Sequence, residues 1–245
     1  MGTGRSVVIN GDLGSGKSTV SILLAARLGI RRISVGDVYR EMALQRGMTA
    51  LQLNLHAELD DKIDFYVDGL QNDIAASGEQ VVVDSRLAWF FFTDALKVHM
   101  IADPSVAASR ALGRPGSPVE HYESLADAQQ RLASRSDSER LRFIARYGAD
   151  KTDLHNYNLV CDSTSATPDE IVDRIVGAFD SPTPDVALAL DPRRIRTTVE
   201  TRQSGAVRVR TDRNEFVALT GWTELGIAIR NRRSLVEATL AGTAD

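Results

Sequence analysis

The sequence predicts an α/β fold in which a parallel β-sheet carries helices on both faces. Short apolar runs alternate along the chain with segments of helical periodicity, which is typical of consecutive βαβ units. One run, residues 80–84 (QVVVD), is apolar without interruption, as expected of a central parallel strand buried on both faces. The first run leads directly into a glycine-rich turn and then a helix, so the sheet begins close to residue 6.

The predicted elements follow in order along the chain. Residues 6–10 form a β-branched strand, and residues 17–28 repeat apolar side chains at a helical spacing. A brief second strand at residues 31–34 leads into residues 37–76, which are helical in pattern except near 47–49. Further strands are predicted at 80–84, 97–102 and 158–162, and further helices at 119–147 and 168–179. Crossovers between parallel strands are right-handed, and this places helices on both faces of the sheet.

The composition and the pattern of the sequence change near residue 180. A proline-rich stretch, residues 180–184, predicts a linker between a core domain, residues 1–180, and a small C-terminal α+β extension, residues 185–245. In the extension, two short strands flank residues 211–214 and predict a β-hairpin. A helix is expected over residues 223–240.

Composition excludes several classes of protein. The 245 residues carry a formal net charge of −4, so the chain shows no strong signal for nucleic acid. No apolar stretch reaches the roughly 18 residues that span a bilayer, and we expect no membrane partner. The N-terminus reaches the first strand too early for a signal peptide, and the single cysteine, Cys161, permits no internal disulfide. We therefore expect a cytoplasmic protein.

The turn after the first strand matches a phosphate-binding loop. Residues 11–18 (GDLGSGKS) fit the whole G-x-x-x-x-G-K-[ST] pattern between a strand and a helix. Its glycines let backbone N–H groups surround a phosphate at the N-terminus of the helix. We expect Lys17 to reach the outer phosphates of a nucleoside triphosphate and the Ser18 hydroxyl to ligate Mg²⁺. The predicted nucleotide-binding residues are Gly11, Gly14, Ser15, Gly16, Lys17, Ser18 and Thr19.

Two arginines follow strands at the edge of the sheet where ligands bind. Arg40 lies one helical turn beyond the second strand, and Arg86 follows the third. Asp37 and Asp84 precede them and add carboxylates to the same edge. A surface salt bridge is the alternative for each arginine, but together they favour an anionic acceptor. The D-x-x-G and N-K-x-D patterns of a switch GTPase do not appear.

A stripe of arginines marks residues 131–150 (RLASRSDSERLRFIARYGAD). Four of them share a helical face within roughly 60°: Arg131, Arg135, Arg142 and Arg146. Like charges on one face repel, so either carboxylates or a visiting anion must offset them. Glu139 and Asp127 could form a salt-bridge network; alternatively, the segment is a lid whose arginines close on the transferred phosphoryl group.

These blocks resemble the cytidylate kinase-like family of nucleoside monophosphate kinases in the P-loop kinase superfamily, especially the short archaeal-type cytidylate kinases. The resemblance covers about residues 6–178 and rests on GDLGSGKST, ISVGDVYREMALQRGM, VVVDSRLAW, and RSDSERLRFIARYGAD with DLHNYNLVCDST. It implies a five-stranded parallel core, a monophosphate-binding insertion at about 37–76 and a lid at about 119–150. It also implies the reaction ATP + (d)CMP → ADP + (d)CDP with Mg²⁺.

The resemblance also implies roles for single residues. Lys17 and the loop amides would hold the ATP phosphates, and Ser18 the metal. The acceptor would meet Arg40, Arg86, Asp37, Asp84 and Asp64, and the lid would supply Arg135 and Arg142, supported by Arg131 and Arg146.

Two departures from the family pattern lie on the acceptor side. Gly69 and Leu70 stand where similar family members carry arginines, and Asp84-Ser85-Arg86 replaces a motif usually written E-G-R. A kinase for a modified nucleotide or another small metabolite therefore stays open. A non-catalytic nucleotide-binding regulator, with the extension as its output module, is the alternative of a different class. A homodimer formed through the extension is a further expectation.

Overall fold

A ten-stranded β-sheet runs through the computed structural model, which describes residues 5–57, 62–115, 120–180, 186–198, 204–212 and 215–241. The strands are β1 (Val7–Gly11), β2 (Arg31–Ser34), β3 (Val81–Asp84), β4 (Leu96–Ile101), β5 (Leu159–Asp162), β6 (Ala187–Leu190), β7 (Ile195–Arg196), β8 (Val207–Asp212), β9 (Glu215–Thr220) and β10 (Val236–Leu240). The helices are α1 (Lys17–Leu28), α2 (Val35–Gln45), α3 (Ala50–Ala57), α4 (Lys62–Ala76), α5 (Ala88–Phe91), α6 (Pro104–Leu112), α7 (Leu125–Tyr147), α8 (Pro168–Asp180) and α9 (Trp222–Arg230).

The first part of the sheet is the predicted parallel core. Its order is β2-β3-β1-β4-β5, and each neighbouring pair is parallel. β6 adds a sixth parallel strand beside β5, so the expected count of five strands describes the core but not the sheet. The chain builds β2 and β3 on one side of β1, and β4 and β5 on the other. This reversal places a ligand-binding crevice beyond the carboxyl end of β1.

Apolar side chains on both faces explain the uninterrupted run at β3. Val81 and Val83 belong to the core on one face, together with side chains of α2, α4 and α5. Val82 points the other way, into the core formed with α1 and α8. A strand covered on both sides gains by burying every side chain, and the prediction of a central strand here is confirmed.

The C-terminal extension continues the same sheet. The order after β6 is β10-β8-β9-β7, and a third apolar cluster joins Ile101 and Val160 of the core to Leu188, Val209 and Phe216 of the extension. The predicted hairpin is confirmed as the antiparallel pair β8 and β9, while its turn at 213–214 lies outside the described residues. Most of the predicted linker, residues 181–184, also lies outside them.

The helix expected over residues 223–240 is wrong in its second half. α9 ends at Arg230, and the backbone at Arg232 has a φ of 52°, which a right-handed helix cannot contain. Val236–Leu240 is strand β10, where buried and exposed side chains alternate. The strand forms because β6 and β8 offer hydrogen-bonding edges on either side of it. Within the described part of the chain, no helix is both long and apolar enough to cross a membrane.

Candidate active site

The phosphate loop joins β1 to α1 in a conformation that depends on its glycines. Gly14 has a φ of 82°, and a Cβ built on it would lie 2.5 Å from the carbonyl oxygen of Ala107. A Cβ on Gly11 would lie 2.2 Å from the carbonyl oxygen of Met100. Gly16 is the residue before α1, so the helix presents its first N–H groups and its positive dipole end to the crevice. The loop therefore has the geometry of an anion cradle.

Lys17 lies on the floor of this cradle. Its ammonium group donates hydrogen bonds of 2.8 Å to the carbonyl oxygens of Gly11 and Asp12. Desolvation by the surrounding protein lowers the pKa of Lys17 to about 8, although the carboxylate of Asp84 opposes the shift. The amine is thus charged at neutral pH but loses its proton more easily than an exposed lysine.

Oxygen ligands for a metal ion meet beside the cradle. The Ser18 hydroxyl donates a hydrogen bond of 3.0 Å to Asp84 Oδ2, which also accepts one of 3.0 Å from Arg32. A hydroxyl and a carboxylate are hard oxygen ligands of the kind that Mg²⁺ takes, completed by phosphate oxygens and water. Among the described residues, no group of three or more histidine, cysteine, aspartate or glutamate side chains is arranged to hold a metal ion. The pair Ser18 and Asp84 therefore fits Mg²⁺ bound together with a nucleotide.

One cleft contains most of the predicted site residues. The phosphate loop lines one side of it and helices α2, α4 and α7 line the other. The predicted residues that line it are Gly14, Gly16, Lys17, Ser18, Arg40, Asp64, Asp84, Arg86 and Arg142. The described residues that line the cleft do not include the other predicted site residues, which are Gly11, Ser15, Thr19, Asp37, Arg131 and Arg135. Asp37 lies at its margin, where it pairs with Arg40 and with Arg32.

Glu139 is the buried centre of the charges on α7. Its carboxylate, which is fully buried, contacts Arg86, lies 3.1 Å from Arg135 Nε and lies 3.6 Å from Lys151 Nζ. Burial alone would raise the pKa of Glu139, but these cations outweigh it and lower the pKa to about 2. Arg135 has a second carboxylate partner in Glu120, at 2.7 Å. A single anion thus holds two arginines that the sequence assigned to phosphate groups.

The arginine stripe of α7 is a salt-bridge network in this structure, the alternative that the sequence left open. Its ion pairs are Arg131 with Asp127 at 2.6 Å, Arg135 with Glu139, Arg142 with Asp64 at 3.2 Å, and Arg146 with Asp68 at 3.8 Å. The environments differ along the helix: the side chain of Arg131 is 46% exposed, and that of Arg135 is 5% exposed. Closure of α7 as a lid stays a prediction.

Several residues of the cleft escaped the sequence-based search. They are Tyr39, Arg114, Glu120 and Tyr147. Gln71 accepts a hydrogen bond of 2.7 Å from Ser85, and Tyr147 donates one of 2.6 Å to Asp68. Arg114 and Glu120 belong to no recognisable motif, and only the path of the chain after α6 brings them to the cleft.

Comparison with known proteins identifies relatives of this chain. A family model described as an AAA domain matches residues 7–142. The chain is 37% identical over 181 residues to a cytidylate kinase of Natronomonas pharaonis, a match that covers 73% of this chain and 91% of that protein. It is 34% identical over 175 residues to a cytidylate kinase of Archaeoglobus fulgidus, covering 71% of this chain and 94% of that protein.

Solved structures agree on the fold. A gluconokinase from Sinorhizobium meliloti superposes with a TM-score of 0.51 at 18% identity and covers 74% of this chain and 94% of its own. A shikimate kinase from Bacteroides thetaiotaomicron superposes with a TM-score of 0.50 at 14% identity and covers 72% of this chain and 98% of its own. At these identities the likeness concerns the fold alone, which is that of a small P-loop kinase.

Proposed function

The chain belongs to the cytidylate kinase family, and we propose that it transfers the γ-phosphoryl group of ATP to CMP or dCMP. It is a nucleoside monophosphate kinase, and ATP and Mg²⁺ are its cofactors. The observation that carries the proposal is the single cleft that has Lys17 and Ser18 on one side and Arg40, Arg86 and Arg142 on the other. Such a cleft can hold two phosphate groups end to end.

The chemistry needs alignment more than it needs a base. An oxygen of the acceptor phosphate attacks the γ-phosphorus of ATP, the bond to the β,γ-bridging oxygen breaks, and ADP leaves. The acceptor phosphate is already ionised at neutral pH, so no side chain has to remove a proton. The protein contributes by holding the reactants in line and by neutralising charge on the moving group. When bound, Mg²⁺ supplies further charge neutralisation, and Ser18 and Asp84 are the residues that would hold it.

The side chains divide between donor and acceptor. Lys17 and the amides of the phosphate loop bind the phosphates of ATP. Arg40 and Arg86 bind the phosphate of the monophosphate, whose nucleoside lies toward Asp64 and α4. Arg135 and Arg142 neutralise the transferred group when α7 closes, and Arg131 supports them. Glu139 holds Arg135 in place, and Asp64 holds Arg142.

The proposal is tested by ADP release from ATP over a panel of acceptors: CMP, dCMP, UMP, AMP, GMP, shikimate and gluconate. We expect CMP and dCMP to give the highest kcat/KM. The variant Arg40→Ala should raise the KM for CMP about tenfold while the KM for ATP stays unchanged. Arg46→Ala, at the exposed end of the same helix, is the matched control. No acceptor-dependent ADP with any compound would refute the assignment.

The remaining assignments concern organisation. We propose residues 1–180 as the catalytic domain, with the monophosphate-binding insertion at 37–76 and the lid at 119–150, and residues 185–245 as its extension. A homodimer through the extension is supported by Trp222 and Ile229, which are 46% and 47% exposed on α9. Light scattering of the protein and of Trp222→Ala tests it. The cytoplasm is the proposed location, in keeping with the free thiol of Cys161.

A further inference from the structure

An arginine of the C-terminal extension reaches the loop after β5. Asp162, the last residue of β5, is fully buried and accepts a hydrogen bond of 2.7 Å from Arg194. The same Nη1 of Arg194 lies 3.1 Å from the hydroxyl oxygen of Thr164. Asp162 also accepts from the backbone N–H of Thr164 at 3.0 Å, so one guanidinium ties both ends of a tight turn.

That turn is attached to the phosphate loop. The hydroxyl of Ser163 donates a hydrogen bond of 2.8 Å to the carbonyl oxygen of Ser15. From the other side, Arg110 of α6 donates to the carbonyl oxygens of Ser163 and Thr164 at 2.7 and 3.3 Å. The Thr164 hydroxyl accepts from the backbone N–H of Asp103, which precedes α6. Residues 162–164 are thus fixed between the phosphate loop, α6 and the extension.

The position of this turn relates it to the donor nucleotide. The acceptor cleft lies on the side of β2 and β3, where α2 and α4 line it. A triphosphate on the loop therefore carries its nucleoside toward the opposite side, beyond the carboxyl ends of β4 and β5. Residue 103 lies just beyond the carboxyl end of β4, and residues 162–164 begin with the last residue of β5. With this placement, the turn held by Arg194 lies on the same side of the phosphate loop as the nucleoside of ATP.

We propose that Arg194 is a positioning residue for the donor nucleotide, so that the C-terminal extension is a working part of the ATP site. The inference rests on the proposed function. Arg194 supplies the counter-charge for Asp162, and burial of a carboxylate is costly unless a cation compensates it. It thereby holds the Thr164 backbone in one place. The extension holds the same turn at a second point, because the backbone N–H of Asp191 donates a hydrogen bond of 3.4 Å to Asp162 Oδ2.

The test is a kinetic comparison of Arg194→Ala, Arg194→Lys and the wild-type enzyme. We expect Arg194→Ala to raise the KM for ATP roughly five- to tenfold, about the size of one ordinary hydrogen bond, because the turn beside the nucleotide loses its fixed position. The KM for CMP and kcat should stay within about twofold of the wild type. Arg194→Lys keeps the charge and should recover part of the loss. Arg196→Ala is the matched control, since its partners Asp212 and Glu215 lie within the extension.

A second variant separates positioning from stability. Arg194→Ala leaves Asp162 buried without its partner, and the protein could fail to fold for that reason alone. The double variant Asp162→Asn, Arg194→Ala removes both charges, and we expect it to fold and to retain the raised KM for ATP. Unchanged KM values for ATP, or equal rises for ATP and CMP, would overturn the inference. Lack of CMP phosphorylation by the wild type would instead refute the proposed function.

Discussion

The hydroxyl of Ser18 and the carboxylate of Asp84 are joined by a hydrogen bond of 3.0 Å, although 66 positions separate them in the chain. The contact exists because β3 lies beside β1, with Asp84 in register with Ile9. The end of one strand thus supplies a carboxylate to the loop that follows its neighbour. Two oxygen ligands meet where the phosphates of a nucleotide would lie.

Removal of the Asp84 charge should weaken the binding of Mg²⁺ at the active site. Asp84→Asn keeps the shape of the side chain but replaces a carboxylate oxygen with an amide, a poorer ligand for a hard cation. We expect the Mg²⁺ concentration for half-maximal activity to rise about tenfold. Initial rates at saturating ATP and CMP over a Mg²⁺ titration measure this, with the exposed Asp73→Asn as control. An unchanged titration would place the metal elsewhere.

The lowered pKa of Lys17 predicts a pH limit for ATP use. Desolvation lowers this pKa from 10.5 to about 8, so the ammonium loses its proton as the pH rises through 8. The neutral amine cannot offset phosphate charge, and kcat/KM for ATP should fall above that pH. The effect of pH on stability is opposite. Burial of the charged amine costs most below pH 8, so the contribution of Lys17 to the stability of the fold improves as the pH rises toward 10.5.

The variant Lys17→Arg, whose side chain keeps its charge throughout this pH range, provides the control for Lys17. In Lys17→Arg the guanidinium stays protonated, so the decline above pH 8 should vanish even though activity is lower. Pre-steady-state or steady-state kcat/KM for ATP between pH 6.5 and 9.5 would be compared for both proteins at saturating CMP. The same decline in both would assign the titration to another group.

Local patterns predicted the parts of the molecule that depend on neighbouring residues. The phosphate loop at 11–18 and the buried strand at 80–84 are both specified by short stretches of sequence. Residues 236–240 were assigned to a helix because a strand forms there only when β6 and β8 are present on its two sides. Long-range pairing of this kind leaves little signal in a single segment.

In the charge network of the site, too, the sequence predicts the local features and the fold decides the long-range contacts. The sequence identified Arg86 and Glu139 as charged residues, yet their contact spans 53 positions and depends on how α7 crosses the carboxyl end of β3. The ion pair of Arg194 with Asp162 depends in addition on the extension joining the sheet. Periodicity placed the arginines on one face of α7, but only the fold decides which carboxylate each one meets.

Glu139 should be essential for the stability of the fold at neutral pH. Arg86, Lys151 and Arg135 overcome the effect of burial and lower its pKa from 4.5 to about 2. The ionised carboxylate therefore stabilises the protein above pH 4.5, and the contribution disappears as the pH falls toward 2. Glu139→Gln should lower the free energy of unfolding at pH 7 by about 3 kcal/mol, because three cations lose their shared partner.

Urea denaturation over a range of pH tests the role of Glu139. The wild type should lose stability between pH 5 and pH 3, and Glu139→Gln should lose less over the same interval. Asp137→Asn, an exposed carboxylate on the same helix, serves as the control. Parallel pH profiles for the wild type and Glu139→Gln would contradict the prediction.

Arg131 and Arg135 lie one turn apart on α7 and should differ strongly in their contribution to turnover. Arg135 is buried between Glu139 and Glu120, a residue that lines the cleft, whereas Arg131 is half-exposed and paired with Asp127. Neutralisation of a phosphoryl group by a desolvated cation is worth more than by a solvated one. We expect Arg135→Ala to lower kcat about 100-fold and Arg131→Ala about threefold at saturating substrates.

Circular dichroism and thermal melting establish whether both variants fold. If Arg135→Ala does not fold, Arg135→Lys, which retains the charge, takes its place. Equal losses would mean that both arginines reach the reacting phosphates when α7 closes, and no loss in Arg135→Ala would exclude this part of the helix from the reaction.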